Sequence, residues 1–116
     1  MRVYNFVLII IFPLIFFRSL YKSLKFGENP IRIMEKFSFY GGKKSSKPVI
    51  LIHAVSVGEV LASRKFVEEI KKRFPDHQTL ITCTTQTGSK TIKRLYGDSV
   101  LHQYMPFDLK FCIKRF

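Results

Sequence analysis

The chain has 116 residues, room for one small domain once an apolar N-terminus is set aside. Lys and Arg number 20 against 8 Asp and Glu, a net charge of +12 that implies an anionic partner: nucleic acid, an anionic bilayer surface or a phosphorylated substrate. Cys83 and Cys112 lie far apart with no CxxC or His companion, which argues against a disulfide framework and a zinc site and leaves Cys83, in an apolar run, as a core thiol.

Val3 to Phe17 is apolar apart from Asn5 and is bracketed by Arg2 and Arg18. Extended through Leu20 and Tyr21 it reaches the roughly 20 residues that cross a bilayer, with Arg18 snorkelling to the headgroups. Pro13 would kink such a helix without forbidding it. The small-residue cleavage site of a signal peptide is missing; Arg18, Tyr21 and Lys22 stand there instead, so a retained anchor over residues 1–22 is expected. Whether it spans the membrane or lies in its surface is open from the sequence. The basic flank places the downstream chain in the cytoplasm by the positive-inside rule.

Residues 23–47 read as a basic connector. Lys25, Arg32, Lys36, Lys43, Lys44 and Lys47 face only Glu28 and Glu35, and Gly41-Gly42 is a turn signal. Such a block after an apolar segment suits an anionic membrane surface, and a plain solvated linker equally well.

From Pro48 the pattern changes, and the remaining 48–116 form an α/β domain near the lower size limit for an independent core. Val49 to Val55 is a continuous apolar run, the pattern of a strand buried on both faces. Val60, Val67, Ile70 and Phe74 recur at helical spacing, and Lys71, Lys72, Arg73 and Pro75 end that helix. Thr79 to Thr84 is a second strand. Thr87-Gly88-Ser89 opens a second helix through Leu95, closed by Tyr96-Gly97-Asp98. Val100 to Met105 is a third strand, and Pro106-Phe107-Asp108 turns into a last helix. Alternating strands and helices predict right-handed crossovers and a parallel sheet, with chemistry at the C-terminal strand ends.

At the first strand end stands His53-Ala54-Val55-Ser56-Val57-Gly58-Glu59. Gly58 suits a tight turn and close approach by a ligand. Glu59 falls in the first helical turn, where the dipole favours a carboxylate by about 0.3–1 kcal/mol, so a purely structural acid there is common. At the second strand end, Thr84 to Ser89 offers hydroxyls and backbone N–H groups that hold an anion or simply cap the helix. The run is neither GxxxxGK[ST] nor GxGxxG. His53 reads as a packed or hydrogen-bonded histidine, and no set of side chains has metal-ligand spacing.

His53 to Glu59 resembles the H-[AS]-V-S-V-G-E motif of 3-deoxy-D-manno-octulosonic acid (Kdo) transferases. Arg73-Phe74-Pro75-Asp76 resembles that family's RYPD, Thr84 to Ser89 its TTMTPTGS, and Tyr104-Met105-Pro106-Phe107-Asp108-Leu109 its YLPYDL, all in family order. The resemblance implies a partial Rossmann-like parallel sheet, the N-terminal acceptor-binding portion of a two-domain GT-B glycosyltransferase, behind an N-terminal membrane-anchor helix. It implies inverting transfer of Kdo from CMP-Kdo to a lipid A precursor in lipopolysaccharide core synthesis, at the cytoplasmic face of the inner membrane, without a metal or other cofactor. It maps the proton acceptor onto Glu59 and puts Ser56, Gly58, Thr87, Gly88 and Ser89 on the acceptor side. A carboxylate suits the first role because a sugar hydroxyl must lose its proton as it attacks.

Family members continue into a fourth strand, an ETELWPN-type motif and a CMP-binding domain. None of these is among the 116 residues, so the chain by itself is expected to be inactive and marginally stable. The competing class is a membrane-tethered basic module that binds anionic lipid or nucleic acid without chemistry. Its charge fits, but no nucleic-acid motif accompanies it, so nucleic acid is not the expected partner. A third class, an isolated nucleotide-binding α/β domain, ranks below both because the glycine-rich fingerprint is absent.

Overall fold

Three short apolar runs form the strands β1 (Val49–His53), β2 (Gln78–Cys83) and β3 (Leu101–Tyr104). All pair in parallel in the order β1-β2-β3, with Leu51 opposite Leu80 and Leu80 opposite Leu101. The computed structural model describes residues 2–25, 27, 30–40 and 45–116. The Gly41-Gly42 turn signal and Lys43-Lys44 lie outside them.

The crossovers carry α2 (Val57–Ala62), α3 (Arg64–Arg73) and α4 (Gln86–Tyr96). Val60, Val67 and Ile92 from these helices bury against Ala54, Ile81, Cys83, Val100 and Tyr104. With sequential strand order and the usual right-handed crossover, the three crossover helices fall on one sheet face, and Val60, Val67 and Ile92 share one core with Ile81 and Cys83 of β2. That corrects the expectation for β1: only alternate residues are covered, and Val49 and Leu51 each stay 44% exposed.

The helix expected to run unbroken to Arg73 is interrupted at Ser63. The Ser63 hydroxyl donates to the Val60 carbonyl at 2.8 Å and also meets the Tyr96 hydroxyl at 2.9 Å, a local bond that competes with helix continuation. At the end of α4, Gly97 takes φ +54° and donates to the Lys93 carbonyl, a conformation that costs a side chain and not glycine.

Residues Gly41–Met105 make up this unit; Met1–Tyr40 together with Pro106–Phe116 make up a second. The second contains α1 (Arg2–Lys25), a 3₁₀ helix (Pro30–Phe37) and α5 (Lys110–Arg115). It departs from the sequence expectation in two ways. The connector is not a plain linker, since eight of its residues form the 3₁₀ helix. The last eleven residues, expected at the end of the sheet domain, join the N-terminal segment. Aromatic packing is the reason: Phe37 makes edge contacts with Phe12 and Phe107, both at 5.2 Å between ring centres.

The 3₁₀ helix ends in a Schellman motif, with Phe39 N–H donating to the Met34 carbonyl and Ser38 N–H to the Glu35 carbonyl. The left-handed position, φ +60°, holds Ser38 where glycine is usual. Its hydroxyl donates to the Cys112 carbonyl at 2.5 Å, and its own carbonyl accepts from Arg115 Nε at 3.0 Å. These bonds to α5 offset the backbone strain.

Candidate functional site

β1 delivers its chain to the C-terminal edge of the sheet, where Ala54 N–H still donates to the Thr82 carbonyl at 2.9 Å. The backbone then turns at once into α2. Ser56 is the N-cap: its hydroxyl oxygen accepts from Glu59 N–H at 3.3 Å. The Glu59 carboxylate reaches back, and Oε2 accepts from Val55 N–H at 2.9 Å. This is a capping box shifted by one residue, and the spacing Ser56-x-x-Glu59 was its signal in the sequence. Val55, through its N–H, is a site residue that sequence reasoning passed over.

The arrangement neither hides nor spends the acid. Glu59 is exposed, and among the described residues only Oε2 has a hydrogen-bond partner. A single fixed oxygen holds the exposed carboxylate beside the strand end and leaves the other able to accept a further bond. Thr84, at the end of β2, adds support by donating to the Val55 carbonyl at 3.4 Å. The first and second strand ends are joined through that contact.

Gly58 lies in the first turn of α2 with ordinary backbone angles. A Cβ there would meet nothing nearer than the Ser56 hydroxyl at 3.9 Å, so the turn does not demand glycine, and the space above it is open. At the second strand end Thr85 caps α4 and accepts from Gly88 N–H at 3.1 Å. Gly88 does need to be glycine: a Cβ would stand 2.9 Å from the Thr85 hydroxyl oxygen and 3.4 Å from Cys83 Cβ. Thr87 is exposed on the same turn.

Ser89 is a different matter. It is fully buried, and its hydroxyl meets His102 Nε2 at 2.8 Å, while His102 Nδ1 contacts the Ile81 carbonyl at 2.9 Å. Helical rotation turns Ser89 toward the sheet, away from the strand-end surface where it was expected. The structure therefore brings Ser56 and Glu59 into one turn and leaves Thr87 and Gly88 on the neighbouring one. His53 bonds to Thr82 Oγ1 at 3.0 Å, as a hydrogen-bonded histidine should. Among the described residues no three His, Cys, Asp or Glu side chains are placed to hold a metal ion. Both cysteines are buried and neither forms a disulfide, the Cys83 thiol donates to the Thr85 carbonyl at 3.4 Å, and burial pushes the Cys112 thiol up.

In a parallel α/β layer the C-terminal strand ends, where this carboxylate stands, are the edge at which ligands bind. Residues 31–116 match the family model for 3-deoxy-D-manno-octulosonic-acid transferase (Kdo transferase). The chain belongs to that family. It is 40% identical over 114 residues to the 3-deoxy-D-manno-octulosonic acid transferase of Haemophilus influenzae, covering 97% of this chain and 27% of the relative. The enzyme of the same name from Rickettsia bellii is 32% identical over 109 residues, 93% of this chain and 26% of the relative. A probable mitochondrial counterpart from Arabidopsis thaliana is 30% identical over 119 residues, with 88% and 27% covered. The chain thus spans about a quarter of the length of these relatives. No solved structure matches it.

Proposed function

We infer that this chain supplies the acceptor side of a GT-B Kdo transferase. Its substrate would be a lipid A precursor held at the cytoplasmic face of the inner membrane by α1, and the donor CMP-Kdo. The observation that supports this most is the Glu59 carboxylate, exposed in the first turn of α2 just past the end of β1, with one oxygen fixed by Val55 N–H and the other without a hydrogen-bond partner among the described residues. In the reaction the second oxygen takes the proton of the acceptor hydroxyl. That hydroxyl oxygen bonds to the anomeric carbon of Kdo from the face opposite the leaving group, and the bond to CMP breaks with its electron pair leaving on the phosphate. Ser56 presents an exposed hydroxyl in the same turn and Thr87 one on the neighbouring turn, and open space above Gly58 admits a ligand close to the backbone. Ser89, turned inward, plays no part in the acceptor site.

The test joins residues 1–116 to the remainder of the Haemophilus influenzae relative and measures transfer from CMP-Kdo. Glu59→Gln is the informative variant, because the glutamine carbonyl oxygen still accepts from Val55 N–H and spares the cap. Transfer should fall by about 10²–10⁴ while precursor binding and thermal midpoint hold. Transfer at the parent rate would remove Glu59 from the chemistry.

A further inference from the structure

We propose that α1 does not cross the bilayer but lies along its surface, seated in the headgroup–acyl boundary of an anionic phospholipid membrane together with α5. The proposal rests on the membrane reading of the proposed function and goes beyond it by fixing how the anchor sits.

By length and composition α1 passes for a span: 24 residues, most of them apolar. At 1.5 Å per residue it is about 36 Å long, enough for a hydrocarbon core of about 30 Å. What lies beside it forbids that orientation. Leu8, Phe12, Phe16 and Leu20 recur every four residues and pack against the core formed by Ile33, Phe37, Leu109 and Cys112. Polar chain therefore runs alongside most of the helix, its N-terminal half included. The Tyr4 hydroxyl, near the start of α1, donates to the Asp108 carboxylate at 2.6 Å. Lys110 and Lys114 share a cleft of about 530 Å³ with Asn5, Ile9 and Phe12.

If α1 spanned, Asp108, Lys110, Lys114 and Arg115 would enter the bilayer with it. Each charge near the bilayer centre costs about 2.5–3.5 kcal/mol on insertion scales. The irregular backbone from Pro106 to Leu109 would stand at hydrocarbon depth, where only regular, internally bonded chain is tolerated against lipid.

An in-plane seat removes both conflicts. One stripe of α1 packs on protein, and the rest is bare: Val3, Phe6, Ile10, Leu14 and Phe17 are 60–76% exposed. Interfacial helices ordinarily carry their own polar face. Here α1 is apolar nearly all round, and the polar face is the unit packed on it. Phe111 of α5, 53% exposed, lines the same cleft as Ile9 and Phe12 and extends the apolar surface. Charge identifies the occupant. Arg18, Lys22, Lys110 and Lys114 are exposed and form no ion pair among the described residues, whereas Arg32 is committed to Glu35 and Arg115 to Ser38 and the Phe39 ring. Unpaired cations rimming an apolar surface complement anionic headgroups over acyl chains.

The experiment adds the full chain to preformed vesicles containing phosphatidylglycerol and tracks flotation and labelling by a membrane-impermeant maleimide. Single replacements Arg2→Cys and Lys25→Cys mark the two ends of α1; the parent, with both cysteines buried, sets the background. The expected result is flotation with both ends labelled from outside and no gain on adding detergent. Flotation with one end protected until detergent overturns the in-plane seat and keeps the membrane reading. Absence of flotation overturns the membrane reading itself. As a second arm, Lys110→Gln with Lys114→Gln should weaken vesicle affinity about thirtyfold, the effect of about one factor of five per basic residue at such a surface. Unchanged affinity would remove α5 from the contact.

Discussion

The two units solve the burial of apolar side chains in opposite ways. In the sheet unit, branched and aromatic residues close inward, and Val60, Ile81, Ile92 and Cys83 have no exposure at all. In the unit built from α1, the 3₁₀ helix and α5, a small aromatic core around Phe37 holds the parts together while a larger apolar surface faces out. A core that is self-sufficient supports a site; a core that is only a hinge pin for exposed hydrophobics supports adhesion to something apolar. The lesson is that the same residue types, Phe and Ile above all, serve different ends according to what packs over them.

Paired truncations break or sharpen this contrast. The largest effect is expected from Ile81→Ala at the centre of the sheet unit, which should cost about 2–5 kcal/mol and lower the thermal midpoint measured by circular dichroism in detergent. Phe17→Ala removes more carbon but from a residue 65% exposed; the midpoint should hold while vesicle affinity drops. An equal loss of stability in both would erase the distinction. Gly88→Ala comes next: the new methyl meets the Thr85 hydroxyl oxygen at 2.9 Å and must displace the cap of α4, at about 1–3 kcal/mol by denaturant titration. Ser38→Ala in the other unit loses the buried bond to the Cys112 carbonyl and keeps the strained backbone, for about 1–2 kcal/mol. Ser38→Gly should lose less, since it relieves φ +60°. Smallest is Glu68→Ala, which removes an exposed pair with Arg64 and should stay within about 0.5 kcal/mol.

Much of the sheet unit was legible because its signals are local. The branched run at Val49, the helical spacing of Val60, Val67 and Ile70, and the stop at Pro75 report conformations that neighbours along the chain enforce. Glu59 was legible as a first-turn acid for the same reason, although its bond to Val55 N–H needed the backbone in place. The one-sided covering of β1 was not legible, because an apolar run looks alike whether one face or two will be packed. Ser89 and the break at Ser63 depended on His102 and Tyr96, partners 13 and 33 residues away.

Sequence alone determined the order of the three strands, the alternation of strand and helix, the family and an apolar helix able to meet a membrane, since each comes from composition and short-range spacing. Tertiary structure decided that residues 106–116 join the N-terminal segment, and hence which face of α1 is taken and how it can lie. Contacts such as Tyr4 with Asp108 span 104 residues, and no periodicity along the chain encodes which distant surface a hydrophobic stripe will find.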